Sequence, residues 1–121
     1  MTTKYIVYDV EIENCIPSGE KDPSLKYCKG WTDFEGMGIS LIGAYLSWED
    51  IYKLYPYHAL HKFQEAVNQA NDVIGFNSKS FDDKLCKAHG VNIDTTFDLL
   101  EEIRFASGQP RKYTRGQTRV G

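Results

Sequence analysis

No apolar run in the 121-residue chain approaches the roughly 20 residues needed to cross a bilayer, so a membrane span is excluded and a soluble protein is expected. No secretory pattern opens the sequence. Its three cysteines, Cys15, Cys28 and Cys86, are odd in number and form no Cys-x-x-Cys pair. A disulfide scaffold is thereby excluded and a reducing, cytoplasmic setting expected. Cys15 and Cys28 also lack partners at any zinc-ligand spacing. There is no overall excess of positive charge: 14 Lys and Arg stand against 17 Asp and Glu, a net charge of −3, which argues against a globally basic polyanion binder. Internal repeats and low-complexity blocks are missing too. A 41% hydrophobic and 13% aromatic composition rules out disorder as the default. The length fits one domain over residues 1–121, large enough to bury a core without metals or disulfides.

The net charge conceals an asymmetry. From Arg104 onward the chain carries Arg104, Arg111, Lys112, Arg115 and Arg119 and no Asp or Glu. This basic tail, 104–121, is a candidate for phosphate contact, and equally a solvated terminus.

Residues 4–12 alternate as a strand. Cys15 to Gly38, with two prolines, four glycines and no sustained periodicity, is expected to be a long loop. "ISLIGAYLSW" (Ile39 to Trp48) and "IYKLY" (Ile51 to Tyr55) predict a second strand and a third, edge-like one joined by a short turn. Leu60, Phe63, Val67 and Ala70 fall at helical spacing. His58 and His61, three apart there, have no third ligand nearby and are expected to be satisfied or solvent-facing rather than metal-bound. "VIGF" (Val73 to Phe76) predicts a buried strand. A turn and a helix follow, with Phe81, Leu85 and Ala88 as its apolar stripe and Gly90 closing it. Phe97 to Ala106 is expected as a helix with Leu99, Leu100 and Ile103 inward, capped from Asp94 or Thr96. The order β-β-β-α-β-α-α describes an antiparallel meander followed by a helical crossover to a strand beside the first, an α/β layer arrangement.

Two stretches carry chemistry. In "KYIVYDVEIEN" strand geometry puts Asp9 and Glu11 on one face, where neighbouring carboxylates repel unless a cation or proton intervenes. In "VIGFNSKSFDDKL" a strand runs into Asn77, and Phe81 and Asp82 follow at the start of the next helix. Carboxyl ends of strands line the binding crevice of open α/β sheets, which gives Asn77 and Asp82 a functional reading. The plainer readings are a helix-dipole partner for Asp82 and a strand end that projects Asp9 and Glu11 into water.

In combination, "IVYDVEI" and "GFNSKSFD" resemble the first and second motifs of the DEDD family of 3′–5′ exonucleases, with "GISLIGAY" similar to the family's second strand and "FDLLEEI" to the helix after the second motif. The resemblance covers about residues 4 to 104. It implies an α/β, ribonuclease-H-like mixed sheet with an N-terminal antiparallel three-strand meander and flanking helices, truncated at the C-terminus. It further implies two-metal phosphodiester hydrolysis with Mg²⁺ or Mn²⁺ ions about 3.5 to 4 Å apart, held by oxygen ligands. By analogy Asp9 bridges both ions, Glu11 binds the ion nearer the nucleophile and Asp82 supports the other. Asn77 and Phe81 place the substrate, a single-stranded nucleic-acid end. Arg111, Lys112, Arg115 and Arg119 of the basic tail are its candidate phosphate contacts on the ground of charge, outside the span of the resemblance.

The family's fourth carboxylate, an Asp after a Tyr or His on a late helix, has no counterpart. No Asp follows Asp98, and the last acidic residue is Glu102. Three expectations follow from the resemblance: a longer protein with the third motif beyond Gly121, a binding module without turnover, or a site completed by a homodimer or protein partner over the missing region.

Overall fold

The computed structural model describes residues 3–109. Tyr5–Ile12 forms strand β1, in which Ile6, Tyr8 and Val10 are buried while Asp9 and Glu11 are exposed. That alternation sets the two faces of the sheet. Ile39–Leu46 (β2) pairs antiparallel with β1, and Ile51–Pro56 (β3) pairs antiparallel with β2. The chain then passes through a short 3-10 turn, Tyr57–Ala59, into helix α2, Leu60–Gln69. It returns as β4, Asp72–Gly75, parallel to β1. A fifth strand, Phe97–Asp98 (β5), pairs parallel with β4, so the sheet order is β3-β2-β1-β4-β5. This is the mixed α/β, ribonuclease-H-like sheet expected from the sequence, with the meander on one side of β1 and the crossover strand on the other.

The core lies on the Tyr8 face. Phe63 of α2 is fully buried, with its ring 5.7 Å from that of Tyr8 and 5.4 Å from that of Tyr55. Ile6, Ile42, Ala44 and Leu46 line the sheet beneath, and Leu85 of a third helix completes the layer. Burying side chains of this size is worth about 1.5–3 kcal/mol each, which makes this face the main source of stability.

Four local expectations are corrected. Phe97 and Asp98, expected as helix, form β5, because two residues carry no periodicity of their own and the open edge of β4 recruits them. The following helix, Leu99–Ala106, is capped by Asp98, whose carboxylate accepts from Leu100 N at 3.1 Å. Thr96 instead accepts from Val73 N at 2.9 Å, and Asp94 pairs with Lys87 at 2.5 Å. Second, Leu99 and Ile103 are exposed rather than inward, and this helix buries none of its residues. Third, the loop from Cys15 to Gly38 contains a helical turn, Phe34–Met37, capped by Asp33. It also holds a bridge between Cys15 and Tyr27. Fourth, the helix Asp82–Ala88 buries Leu85 and Cys86 together with Asp82 and Asp83, and Ala88 is exposed. In chain order the helices are α1 (Phe34–Met37), α2, α3 (Asp82–Ala88) and α4 (Leu99–Ala106). His58 and His61 are both exposed. Among the described residues no helix is long and apolar enough to cross a membrane.

Candidate functional site

Strand β4 pairs with β1 only along Tyr5 to Val7. Beyond Val7 that edge of β1 has no strand partner among the described residues, and Val10 N donates instead to Asp82 Oδ2 at 3.3 Å. The first residue of α3 is thereby drawn against the strand that carries Asp9. Asp82 is only 7% exposed. Burial, then the nearby charge of Asp9, pushes its carboxyl up to about 7, the Val10 N–H only partly opposing them and the charges of Asp83 and Asp98 adding to the rise. A buried carboxylate with one long hydrogen bond and a second acid beside it has unspent acceptor capacity. A hard divalent cation would satisfy it.

The next residue behaves in the opposite way. Asp83 accepts from the Tyr8 hydroxyl, from Thr95 N at 2.8 Å and from Thr95 Oγ1 at 2.8 Å. Thr95 Oγ1 also shares a hydrogen bond with Ser78 Oγ at 2.7 Å, and Asp83 N donates to Ser78 O at 2.8 Å. Burial raises the Asp83 pKa while these donors oppose the rise. Tyr8 is pushed far above its usual range by burial and by Asp83, so its proton stays on the phenol. Burial, with Asp82 and Asp83 adding, pushes the Cys86 thiol up to about 12, which leaves it unreactive. This network anchors the first turn of α3 and decides which of two adjacent acids faces Asp9.

The turn between β4 and α3 is equally constrained. A Cβ at Gly75 would lie 2.2 Å from Ser78 Oγ, so glycine is required for the chain to double back. Asn77 takes φ +56°, a left-handed conformation that Asn tolerates better than most residues. Its N–H donates to Asp98 Oδ1 at 2.8 Å, and Lys79 N donates to Asp98 Oδ2 at 3.2 Å. The buried Asp98 therefore ties the Asn77 turn to the start of α4. This role has no signature in the sequence, because it joins residues about twenty apart. The Asn77 side chain is exposed and accepts from Ser80 Oγ at 2.6 Å.

Phe81 occupies the N-cap position of α3 and is half-buried. Its ring meets Phe34 edge-on at 5.8 Å and Trp31 edge-on at 6.2 Å. Trp31 lies in the long loop and has no periodic context, so only its residue type marks it. Glu11 sits on the exposed face of β1, in register with Leu41. Among the described residues no three His, Cys, Asp or Glu side chains are gathered to share one ion. The structure thus brings Asp9 and Asp82 together, with Glu11 two positions along the same strand face. Arg104 is exposed in the last turn of α4. Arg111, Lys112, Arg115 and Arg119 lie outside the described residues.

No family model matches the sequence, and no curated protein matches it. Among solved structures the chain is similar to the family B DNA polymerase from the hyperthermophilic archaeon Pyrobaculum calidifontis, with a TM-score of 0.50 and 17% sequence identity. The match covers 83% of this chain and 13% of the polymerase. At that identity the likeness is one of fold.

Proposed function

We propose that this chain is a 3′–5′ exonuclease-like domain of the DEDD type, acting on the ends of DNA or RNA by metal-dependent phosphodiester hydrolysis. The observation that carries the reading is the pairing of Asp82, buried and under-satisfied, with Asp9 at the unpartnered edge of β1. Asp9 and Asp82 would hold Mg²⁺ or Mn²⁺, with Glu11 as the further oxygen donor. Such a cation polarises a phosphoryl oxygen and makes bound water a stronger nucleophile. The chain's own contribution is positional. β1 holds Asp9 on a hydrogen-bonded strand, the Asp83 network holds Asp82, and the Asn77 turn and Phe81 border the place where a substrate strand would lie. The likeness in fold to a DNA polymerase supports nucleic acid as the partner class.

Degradation of 5′-labelled single-stranded DNA and RNA in Mg²⁺ or Mn²⁺ tests the reading. Shortening from the 3′ end is expected, with loss of at least a hundredfold in Asp9→Ala and Asp82→Ala. Nuclease activity that survives both substitutions sinks it.

A second reading is favoured by one observation: among the described residues no three carboxylates are gathered to share one ion. It assigns the chain to nucleic-acid or protein binding without turnover, as a regulator or inhibitor. It predicts oligonucleotide binding with no degradation at any concentration of either metal.

A further inference from the structure

Trp31 is 68% exposed, yet it is not loosely held. It sits in a turn closed by Asp33 N donating to Gly30 O at 3.2 Å and Lys29 N donating to Asp33 Oδ2 at 2.8 Å. The buried Cys28 anchors the chain just before that turn, and α1, just after it, is tied to the end of α3 by His89 Nε2 against Phe34 O at 3.0 Å. The indole rests edge-on against Phe81 at 6.2 Å, and Phe81 in turn against Phe34 at 5.8 Å. A large aromatic ring presented to water on an ordered turn forgoes the gain of burial, which is the cost a contact surface carries.

The position of this ledge gives it an occupant. Phe81 is joined through one peptide bond to Asp82, so the aromatic surface borders the carboxylate pair. Two exposed cations flank it: Lys29, two residues before Trp31, and Lys84, three residues after Phe81. Neither lies within ion-pair distance of an acid among the described residues, and Lys29 feels the charge of Asp33 in its own turn. An exposed ring beside lysines is the combination that binds single-stranded nucleic acid, the ring stacking on a base and the cations meeting the phosphates.

We infer that Trp31, backed by Phe81, is a stacking platform for an unpaired base of a nucleic-acid strand, with Lys29 and Lys84 beside it as phosphate contacts. The inference rests on the nucleic-acid part of the function proposed above and adds a binding residue from outside either motif.

The test uses a fluorescein-labelled thymidine oligonucleotide, and an abasic phosphodiester of the same length, in Ca²⁺. Trp48→Phe leaves Trp31 as the sole tryptophan, since the chain has two. Saturable quenching of Trp31 by the thymidine oligonucleotide, and none by the abasic one at the same occupancy, is expected. By anisotropy in the wild-type background, Trp31→Ala should weaken thymidine-oligonucleotide binding about 5- to 100-fold, Trp31→Phe should recover most of it, and the abasic strand should barely distinguish the three. Unchanged affinity in Trp31→Ala overturns the inference, as does failure of the oligonucleotide to bind at all. The two ideas fail separately. Degradation lost in Asp9→Ala without Trp31 quenching removes only the platform, and quenching without any degradation removes only the nuclease.

Discussion

Asp82 and Asp83 stand side by side at the start of α3, and their carboxylates face different surroundings. Asp83 accepts from Tyr8 and twice from Thr95 inside the core, whereas among the described residues Asp82 accepts only from Val10 N, at 3.3 Å, and feels the charge of Asp9. Removing either carboxylate should therefore have opposite effects on stability. Asp83→Ala leaves the Tyr8 hydroxyl and the Thr95 N–H buried without their acceptor, and urea unfolding should show a loss of about 3 kcal/mol. Asp82→Asn keeps an acceptor for Val10 N and removes a poorly solvated charge, so at pH 8 without divalent cations it should unfold at higher urea than wild type.

The same charge makes stability depend on pH. The Asp82 carboxyl stands near 3.8 in the unfolded chain and at about 7 in the folded one. The folded state therefore holds the proton more tightly. The stability this confers is fully present below the unfolded value and is lost as pH rises through about 7. Burial raises Asp83 as well, which acts in the same direction. In EDTA, unfolding free energy should fall by about 3 kcal/mol between pH 5 and pH 8. Asp82→Asn should flatten that fall, and an unchanged slope in the variant would show that the pH dependence comes from other groups.

Burial and then the charge of Asp9 raise the Asp82 pKa, and a cation at the pair would offset both. At pH 8, millimolar Mg²⁺ or Mn²⁺ should raise the thermal midpoint by a few degrees through binding to the folded state alone. Asp9→Asn and Asp82→Asn should each lose most of that shift in a calorimetric scan. An equal shift in both variants would place the ion elsewhere.

Gly75→Ala tests the turn that delivers Asn77. The new Cβ meets Ser78 Oγ at 2.2 Å and Ser78 Cβ at 2.6 Å, and Ser78 is fully buried and hydrogen-bonded to Thr95. With no flexible side chain to give way, the backbone must move. A loss of about 2–3 kcal/mol is expected by urea unfolding. Asp98→Ala, which frees Asn77 N and Lys79 N, should disturb the same turn, visible as shifted amide resonances from Asn77 to Ser80.

Much of this molecule was legible without coordinates, and the reason is range. The alternation of Ile6, Tyr8 and Val10 against Asp9 and Glu11 is a local pattern of period two, so β1 and the face that carries its acids could be read from a dozen letters. The order of the meander, the crossover helix and β4 follows from patterns of the same kind, and so does Asn77 at a strand end with Asp82 just inside a helix. What escaped that reading depends on partners distant in the chain. β5 exists because the edge of β4 is there to pair with it. Asp98 serves as a scaffold because Asn77 and Lys79 come to it. Leu99 and Ile103 have the spacing of a buried stripe, yet α4 buries none of its residues. Which of Asp82 and Asp83 faces inward was settled by Tyr8 and Thr95, residues far from both in sequence, through hydrogen bonds that the low dielectric of the core makes costly to leave unmade. Short-range periodicity thus names the elements and their acids, and long-range packing assigns each acid its task.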